Sequence, residues 1–309
     1  MFPDVLPAAV HHLTEITSIA QAQKITAIDL HTAIATRPLR TTYIRAGQPD
    51  QNSAPILLLH GFDSSVLEYR RLQPLLAIER ETYAVDLLGF GFTDRTAGNR
   101  FTPDDIDQHL YDFWQAEIQR PVVLVGASMG GAAAIGFALR HPEAVDRLVL
   151  LDSAGIANGP ILGKYIFPPF DRLATDFLKR PSVRSQIGAS AYFNKQLNSE
   201  DARCCAALHL AMPHWHDALI AFTKSRGYPS IRSRLDQVTI PVLILWGRND
   251  KILGTKDAQI FDRDLPHSQL HWIEQCGHVP HLEAPQVTAN HILAFVRSAD
   301  PVAPAVSDL

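Results

Sequence analysis

The run VLVGASMGGAAAIGFAL, residues 123–139, passes from a short apolar strand pattern into an alanine-rich helical one, with Ser128 at the joint. A strand that turns directly into a helix forces the residue at the bend into a strained backbone conformation and leaves no room for bulk two positions to either side. Gly126 and Gly130 supply that room. The side chain at the bend then stands above the C-terminal edge of the sheet, where ligands of open α/β sheets bind. Met129 opens the helix, so its backbone N–H is available to a negative charge developing at the same spot. This predicts a presented nucleophile. A serine in that role further needs a base to take its proton and an acid to orient the base.

The elements that must position these groups are legible as apolar runs of two periods. Strands are predicted at 55–60, 82–86, 121–126, 147–152, 241–246 and 269–274, rich in Val, Ile and Leu on both faces. Strands covered by helices on both sides have that composition. Helical periods near 65–78, 104–118, 129–140, 256–263 and 285–297 alternate with them, which predicts an α/β fold with a mostly parallel sheet flanked by helices. HTAIATRPL and RTTYIRAG, residues 31–39 and 40–47, suit an antiparallel edge hairpin. The alternation stops over 156–236, where FDRLATDFLKR and EDARCCAALHLAM are amphipathic and helix-like and no core strand is apparent. The expected organisation is a helical extension at 1–30, a core at 31–155 and 237–298, an inserted helical cap at 156–236 and a flexible tail at 299–309.

The 309 residues are 46% hydrophobic and 19% charged, which suits a soluble chain with one large core or a core and a subdomain. The 28 basic residues nearly balance the 32 acidic ones, without like-charge runs, so nucleic acid is not expected as a partner. Cys204, Cys205 and Cys276 cannot form a framework of bridges, and their scarcity suits a reducing compartment. The start carries Asp4 where a secretory signal has positive charge. No stretch approaches the ~20 apolar residues of a membrane span. A cytoplasmic location is expected.

GASMG, residues 126–130, fits G-x-S-x-G and, with the architecture around it, resembles the α/β-hydrolase family. The resemblance covers nearly the whole chain except the N-terminal helix, the cap and the tail. It implies the chain order Ser, acid, His, with each residue on a loop after a strand. Asp250 in LILWGRNDKIL then falls at the acid position and His278 in WIEQCGHVPHLEAP at the base position. Asp152, at the end of strand 147–152, is the rival acid, and His281 is the rival base. By the same resemblance the backbone N–H of Phe62, in LLLHGFDSS, joins that of Met129 as an oxyanion hole. His60 ends a strand and is expected to be a buried structural residue. In VDLLGFGFTDR, Asp86, Gly89 and Gly91 are expected to shape the pocket wall and Asp94 to fix the loop. His209, His214 and His216 lack a carboxylate or cysteine that completes a metal site, so no metal is assigned.

Serine at the bend disfavours epoxide opening and halide displacement, for which relatives use aspartate. The resemblance implies hydrolysis through an acyl-enzyme without a cofactor. A carboxylic ester of a small or medium hydrophobic molecule is the first expectation, because it is the commonest use of this machinery. Carbon–carbon hydrolysis of a diketo acid and cofactor-free perhydrolysis use the same groups. A ligand receptor with slow or no turnover is the reading from another class. Ile161, Leu162, Phe167, Phe170, Leu219 and Phe222 are the residues expected to roof the pocket.

Overall fold

The computed structural model describes residues 1–96, 100–158 and 168–297. The chain opens with a 3-10 turn at Ala8–His12 and helix α1 (Ile16–Lys24), followed by strands β1 (Thr26–Leu30) and β2 (Leu39–Ala46). Then come β3 (Ile56–Leu59), α2 (Gln73–Leu76), β4 (Thr82–Val85), α3 (Pro103–Glu117), β5 (Val122–Ala127), α4 (Met129–Arg140) and β6 (Val145–Leu151). The described part of the next segment is a helical insert of α5 (Phe170–Lys179), α6 (Pro181–Ala191), α7 (Glu200–Ala207) and α8 (Trp215–Lys224). The chain returns through β7 (Val242–Gly247), α9 (Lys256–Asp264), β8 (Ser268–Ile273), α10 (Pro280–Glu283) and α11 (Pro285–Arg297). The expected tail lies outside the described residues. Among those residues no helix is long and apolar enough to cross a membrane.

One sheet in the order β1-β2-β4-β3-β5-β6-β7-β8 holds these strands. From β4 to β8 every pairing is parallel, and β2 runs antiparallel to both its neighbours. Successive side chains of a strand point to opposite faces. Leu57, Leu124, Leu148 and Ile244 accordingly enter one apolar cluster, while Leu58, Val125, Val149 and Leu243 enter the other. Burial on both faces is what the continuous apolar strands require.

The sheet begins earlier than the sequence suggested. The last five residues of the expected 1–30 extension form β1, paired from Thr26↔Tyr43 to Leu30↔Leu39. The expected first strand of the hairpin, 31–39, contains Pro38, which has no ladder donor, whereas TAIDL has none of that restriction. The helix expected at 65–78 divides into a 3-10 turn at Val66–Tyr69 and short α2. Pro74 accounts for the break, since its ring and missing N–H oppose a continuous helix through it.

Beneath the C-terminal edge, Asp86 ties three segments together. Its carboxylate accepts from Thr42 Oγ1 at 2.6 Å, Val66 N at 2.7 Å and Phe92 N at 2.9 Å, and it is fully buried. Asp94 instead meets the Thr96 hydroxyl and lies 3.9 Å from Arg37. Asp86→Ala leaves two backbone donors without acceptors and is expected to destabilise the fold by about 2–4 kcal/mol. Asp94→Ala is expected to cost less than about 1 kcal/mol. Chemical denaturation of the two variants checks this, and equal losses would refute the assigned role of Asp86.

Candidate active site

Ser128 follows β5 directly and caps α4 with φ 52° and ψ −118°. A side-chain-bearing residue held at positive φ costs of order 1–3 kcal/mol and persists only where its surroundings impose it. Here its N–H donates to the Leu151 carbonyl at 2.9 Å, and its own carbonyl accepts from Gly131 N at 3.0 Å and Ala154 N at 2.9 Å. A β-carbon on Gly126 would run into the Gly130 carbonyl, and one on Gly130 into the Leu59 carbonyl. Both glycines are therefore required by close backbone approach.

Two loops at the same sheet edge bring the other expected groups to this bend. His278, after β8, places Nε2 2.9 Å from Ser128 Oγ and Nδ1 2.9 Å from Asp250 Oδ2. The serine hydroxyl can donate to Nε2 while Nδ1–H donates to the carboxylate. Asp250, after β7, also accepts from Ile252 N at 2.7 Å and Leu253 N at 3.2 Å through Oδ1. Burial alone would raise the Asp250 pKa, but its hydrogen bond to His278 and the imidazole charge bring it below the usual carboxylate range. It is thus an ionised acceptor on three sides.

Asp152 ends the intervening strand and is fully buried, with Oδ1 accepting from Gly247 N at 3.0 Å. Burial, reinforced by the neighbouring Asp250 charge, pushes its pKa well above the usual value. The two rival acids therefore differ in surroundings: Asp250 bonds to His278, while burial beside the Asp250 charge disfavours the ionised form of Asp152. Ligand atoms of Asp152, Asp250 and His278 lie within 4.8 Å of one another.

His281, the rival base, turns away from Ser128, with Nε2 3.0 Å from Glu68 Oε1. Glu68 Oε2 accepts from Gly61 N at 2.9 Å, fixing the residue before Phe62. Burial would raise the Glu68 pKa, yet the contact with His281 holds it at about 2. His60 Nε2 accepts from Leu87 N at 3.1 Å, so its proton sits on Nδ1, 2.8 Å from the Gly61 carbonyl. It is an enclosed structural residue, as expected. Glu283 gathers Gly277 N at 2.7 Å, Phe193 N at 2.9 Å and Asn194 N at 2.6 Å, joining the histidine loop to the insert. Glu68 and Glu283 carry no recognisable pattern in the sequence and escaped its analysis.

His209, His214 and His216 do not converge on one point. Their nearest partners are Asp63 at 3.0 Å, Asp217 at 3.0 Å, and the Thr175 hydroxyl at 2.8 Å.

A cavity of about 950 Å³ opens over Ser128 and His278, bounded among the described residues by Phe62, Leu178, Ile187 and Leu210. Of the expected roof, Phe170, Leu219 and Phe222 are not among the residues that line it. Ile161, Leu162 and Phe167 lie outside the described residues, Phe170 is 61% exposed, and Leu219 packs with Leu210 and Trp215 in the insert's own core. Phe222 packs against Phe90 and Phe62 at 5.3 and 5.9 Å between ring centroids. Trp215, Ala218, Leu219 and Phe222 form one buried stripe on α8, so that helix uses its apolar face for packing, and α6 and α7 line the cavity. Asp86, Gly89 and Gly91 likewise stand behind the wall and are absent from the lining.

A family model described as alpha/beta hydrolase fold matches residues 54–285. The chain is 30% identical over 302 residues to alpha/beta hydrolase domain-containing protein VTE7 of Arabidopsis thaliana, covering 96% of this chain and 89% of that one. It is 29% identical over 263 residues to 2-hydroxymuconate semialdehyde hydrolase of Pseudomonas sp. strain CF600, covering 81% and 89%. A solved thermophilic esterase from Thermogutta terrifontis superposes with a TM-score of 0.75 at 21% identity, covering 89% of this chain and all of that one.

The contrast between the two acids is testable through Asp152→Asn. The folded protein holds this proton where an unfolded chain releases it, above the ordinary value of about 3.9. The group's contribution to stability is therefore full below that pH and declines as pH rises through the raised folded value. The asparagine cannot titrate, so its melting temperature relative to wild type should improve between pH 4 and pH 7. A difference that stays constant with pH would show that Asp152 is not protonated. Turnover should remain within about tenfold, because asparagine still accepts from Gly247 N without adding charge.

Proposed function

The chain belongs to the alpha/beta hydrolase fold family, and from that premise we propose that it is a serine hydrolase acting through an acyl-enzyme on a carboxylic ester of a small or medium hydrophobic molecule. The observation that carries this reading is the continuous hydrogen-bonded series Ser128, His278, Asp250, with Ser128 and His278 lining the cavity. Ser128 Oγ attacks the ester carbonyl carbon as His278 Nε2 takes its proton, and Asp250 stabilises the imidazolium that forms. The backbone N–H groups of Phe62 and Met129 receive the negative charge on the former carbonyl oxygen. The tetrahedral centre then expels the alcohol, which leaves with the proton from His278. A water, deprotonated by the same imidazole, hydrolyses the acyl-enzyme.

The helices between β6 and β7 act as the cap in this reading. Hydrophobic selectivity is supported by Leu178, Ile187 and Leu210 in the cavity wall. Three free thiols, two of them buried, support a reducing, cytoplasmic setting. Carbon–carbon hydrolysis is the second reading, favoured by the likeness to 2-hydroxymuconate semialdehyde hydrolase. The same groups serve either reaction, and the difference lies in what the tetrahedral centre expels. Turnover of a panel of alkanoate esters and one vinylogous diketo acid decides between them, and preference for the diketo acid would overturn the ester reading.

Ser128→Ala should abolish labelling by a fluorophosphonate and lower ester turnover by roughly four to six orders of magnitude. Asp250→Asn should lower kcat about 10⁴-fold with the fold intact, because the carboxylate sets the imidazole tautomer and offsets its charge. Persistent labelling of the alanine variant would locate the nucleophile elsewhere. In a second test, Ile187→Trp narrows the cavity and should shift the ester preference toward shorter chains. Each buried methylene contributes about 0.8 kcal/mol, or a factor of about four in kcat/KM. An unaltered chain-length ranking would remove Ile187 from the substrate wall.

A further inference from the structure

Asp63 directly follows Phe62, is held at φ 49° and has its side chain buried. A carboxylate withdrawn from water needs donors close at hand. Among the described residues three side chains meet it, and all three come from the cap. The Arg184 guanidinium of α6 pairs with Oδ2, while His209 Nε2 lies 3.0 Å and Trp215 Nε1 2.8 Å from Oδ1. Burial alone would raise its pKa, but His209, Arg184 and Trp215 outweigh it and hold the group at about 2.

The loop is gripped from two sides. From the core, Glu68 accepts the Gly61 N–H. From the cap, Phe222 of α8 packs on the Phe62 ring and the three donors hold Asp63. Helix α6 carries Arg184 near its start and ends at Ala191, whose carbonyl accepts the His278 N–H at 2.7 Å. One helix of the cap thus contacts the loop of the proposed oxyanion donor and the loop of the proposed base.

We propose that Asp63 is a positioning residue through which the docked cap aims the Phe62 N–H at the oxygen that becomes charged, so that cap docking sets turnover as well as selectivity. This rests on the serine-hydrolase reading. Deleting one donor to Asp63 should then weaken transition-state stabilisation while leaving ground-state binding nearly unchanged.

The test compares Trp215→Phe, which removes one N–H from Asp63 and keeps an aromatic ring, with Asp63→Asn and with the double variant. Steady-state kinetics on a short-chain aryl ester are read alongside affinity for an alkyl boronic acid, which mimics the tetrahedral centre, and for the product acid. Each single variant should lower kcat about tenfold or more, with KM within about twofold. Boronic acid affinity should fall in parallel and product affinity should hold. The double variant should lose less than the product of the single losses, because both changes act on one joint. Trp215→Phe keeps the proposal open to refutation where Asp63→Asn fails to fold. Wild-type kcat and boronic acid affinity in folded Trp215→Phe, with only a lower melting temperature, would make Asp63 a structural anchor and overturn the inference alone. A wild-type protein that neither reacts with a fluorophosphonate nor turns over esters would overturn the hydrolase reading, and the inference with it.

Discussion

The bend at Ser128 is the constraint from which the rest of the site follows. Its φ of 52° is unfavourable for any residue with a β-carbon, so the conformation exists only because neighbouring strands and helices enforce it. β6 supplies the acceptor for its N–H, and the start of α4 and the segment after β6 supply donors for its carbonyl. Those bonds require β5 and β6 to be in register, which their matched apolar residues on both faces secure. Core packing and nucleophile presentation are therefore one problem. A substitution that shifts β6 by a fraction of an ångström acts on Ser128 without touching the cavity.

Around the bend, identical chemical groups are pushed in opposite directions by their surroundings. Asp250 and Asp152 are both buried carboxyls on adjacent strand ends. Asp250 has two backbone donors and an imidazole, and the sum overcomes desolvation. Asp152 has one backbone donor and an anion for a neighbour, and desolvation prevails. Asp63 and Glu68 repeat the first case on the loop between β3 and α2, each brought well below the usual range by partners that outweigh burial. Hydrogen-bond donors, counted against burial, decide which acids are anions.

This explains which parts of the site were legible in the sequence. Strand periodicity placed β3 through β8 to within a residue or two, because β3 to β7 are largely buried on both faces and read as apolar runs, although the edge strand β8 is only partly buried. The glycines at 126 and 130 announced the bend because steric exclusion is local. Asp250 and His278 were reached only through the resemblance, which expects an acid and a base on loops after strands, and both residues hydrogen-bond in series with Ser128. The partners of Asp63 lie 121, 146 and 152 residues away, beyond the range of any local pattern. Aromatic residues at the cap ends suggested a roof, but amphipathic periodicity does not say which surface the apolar stripe meets. In α8 it meets the insert and the core.

In the proposed reading, division of labour between a core that performs chemistry and a cap that chooses substrates is consequently incomplete. The proposed nucleophile, acid and base all sit on the core, and the bend itself depends only on core strands. Yet the two loops beside the bend are each fastened to the cap through buried carboxylates: Asp63 receives donors from the cap, and Glu283 accepts from Phe193 and Asn194 just beyond α6. Each fastening removes a charged group from water and is compensated only while its partners stay in place. Moving α6 to admit a different substrate would disturb the Phe62 and His278 loops together, since Arg184 and Ala191 are parts of one helix. Under the proposed reading that helix couples binding to turnover, and a cap reshaped without these contacts would lose catalysis even where it gained affinity.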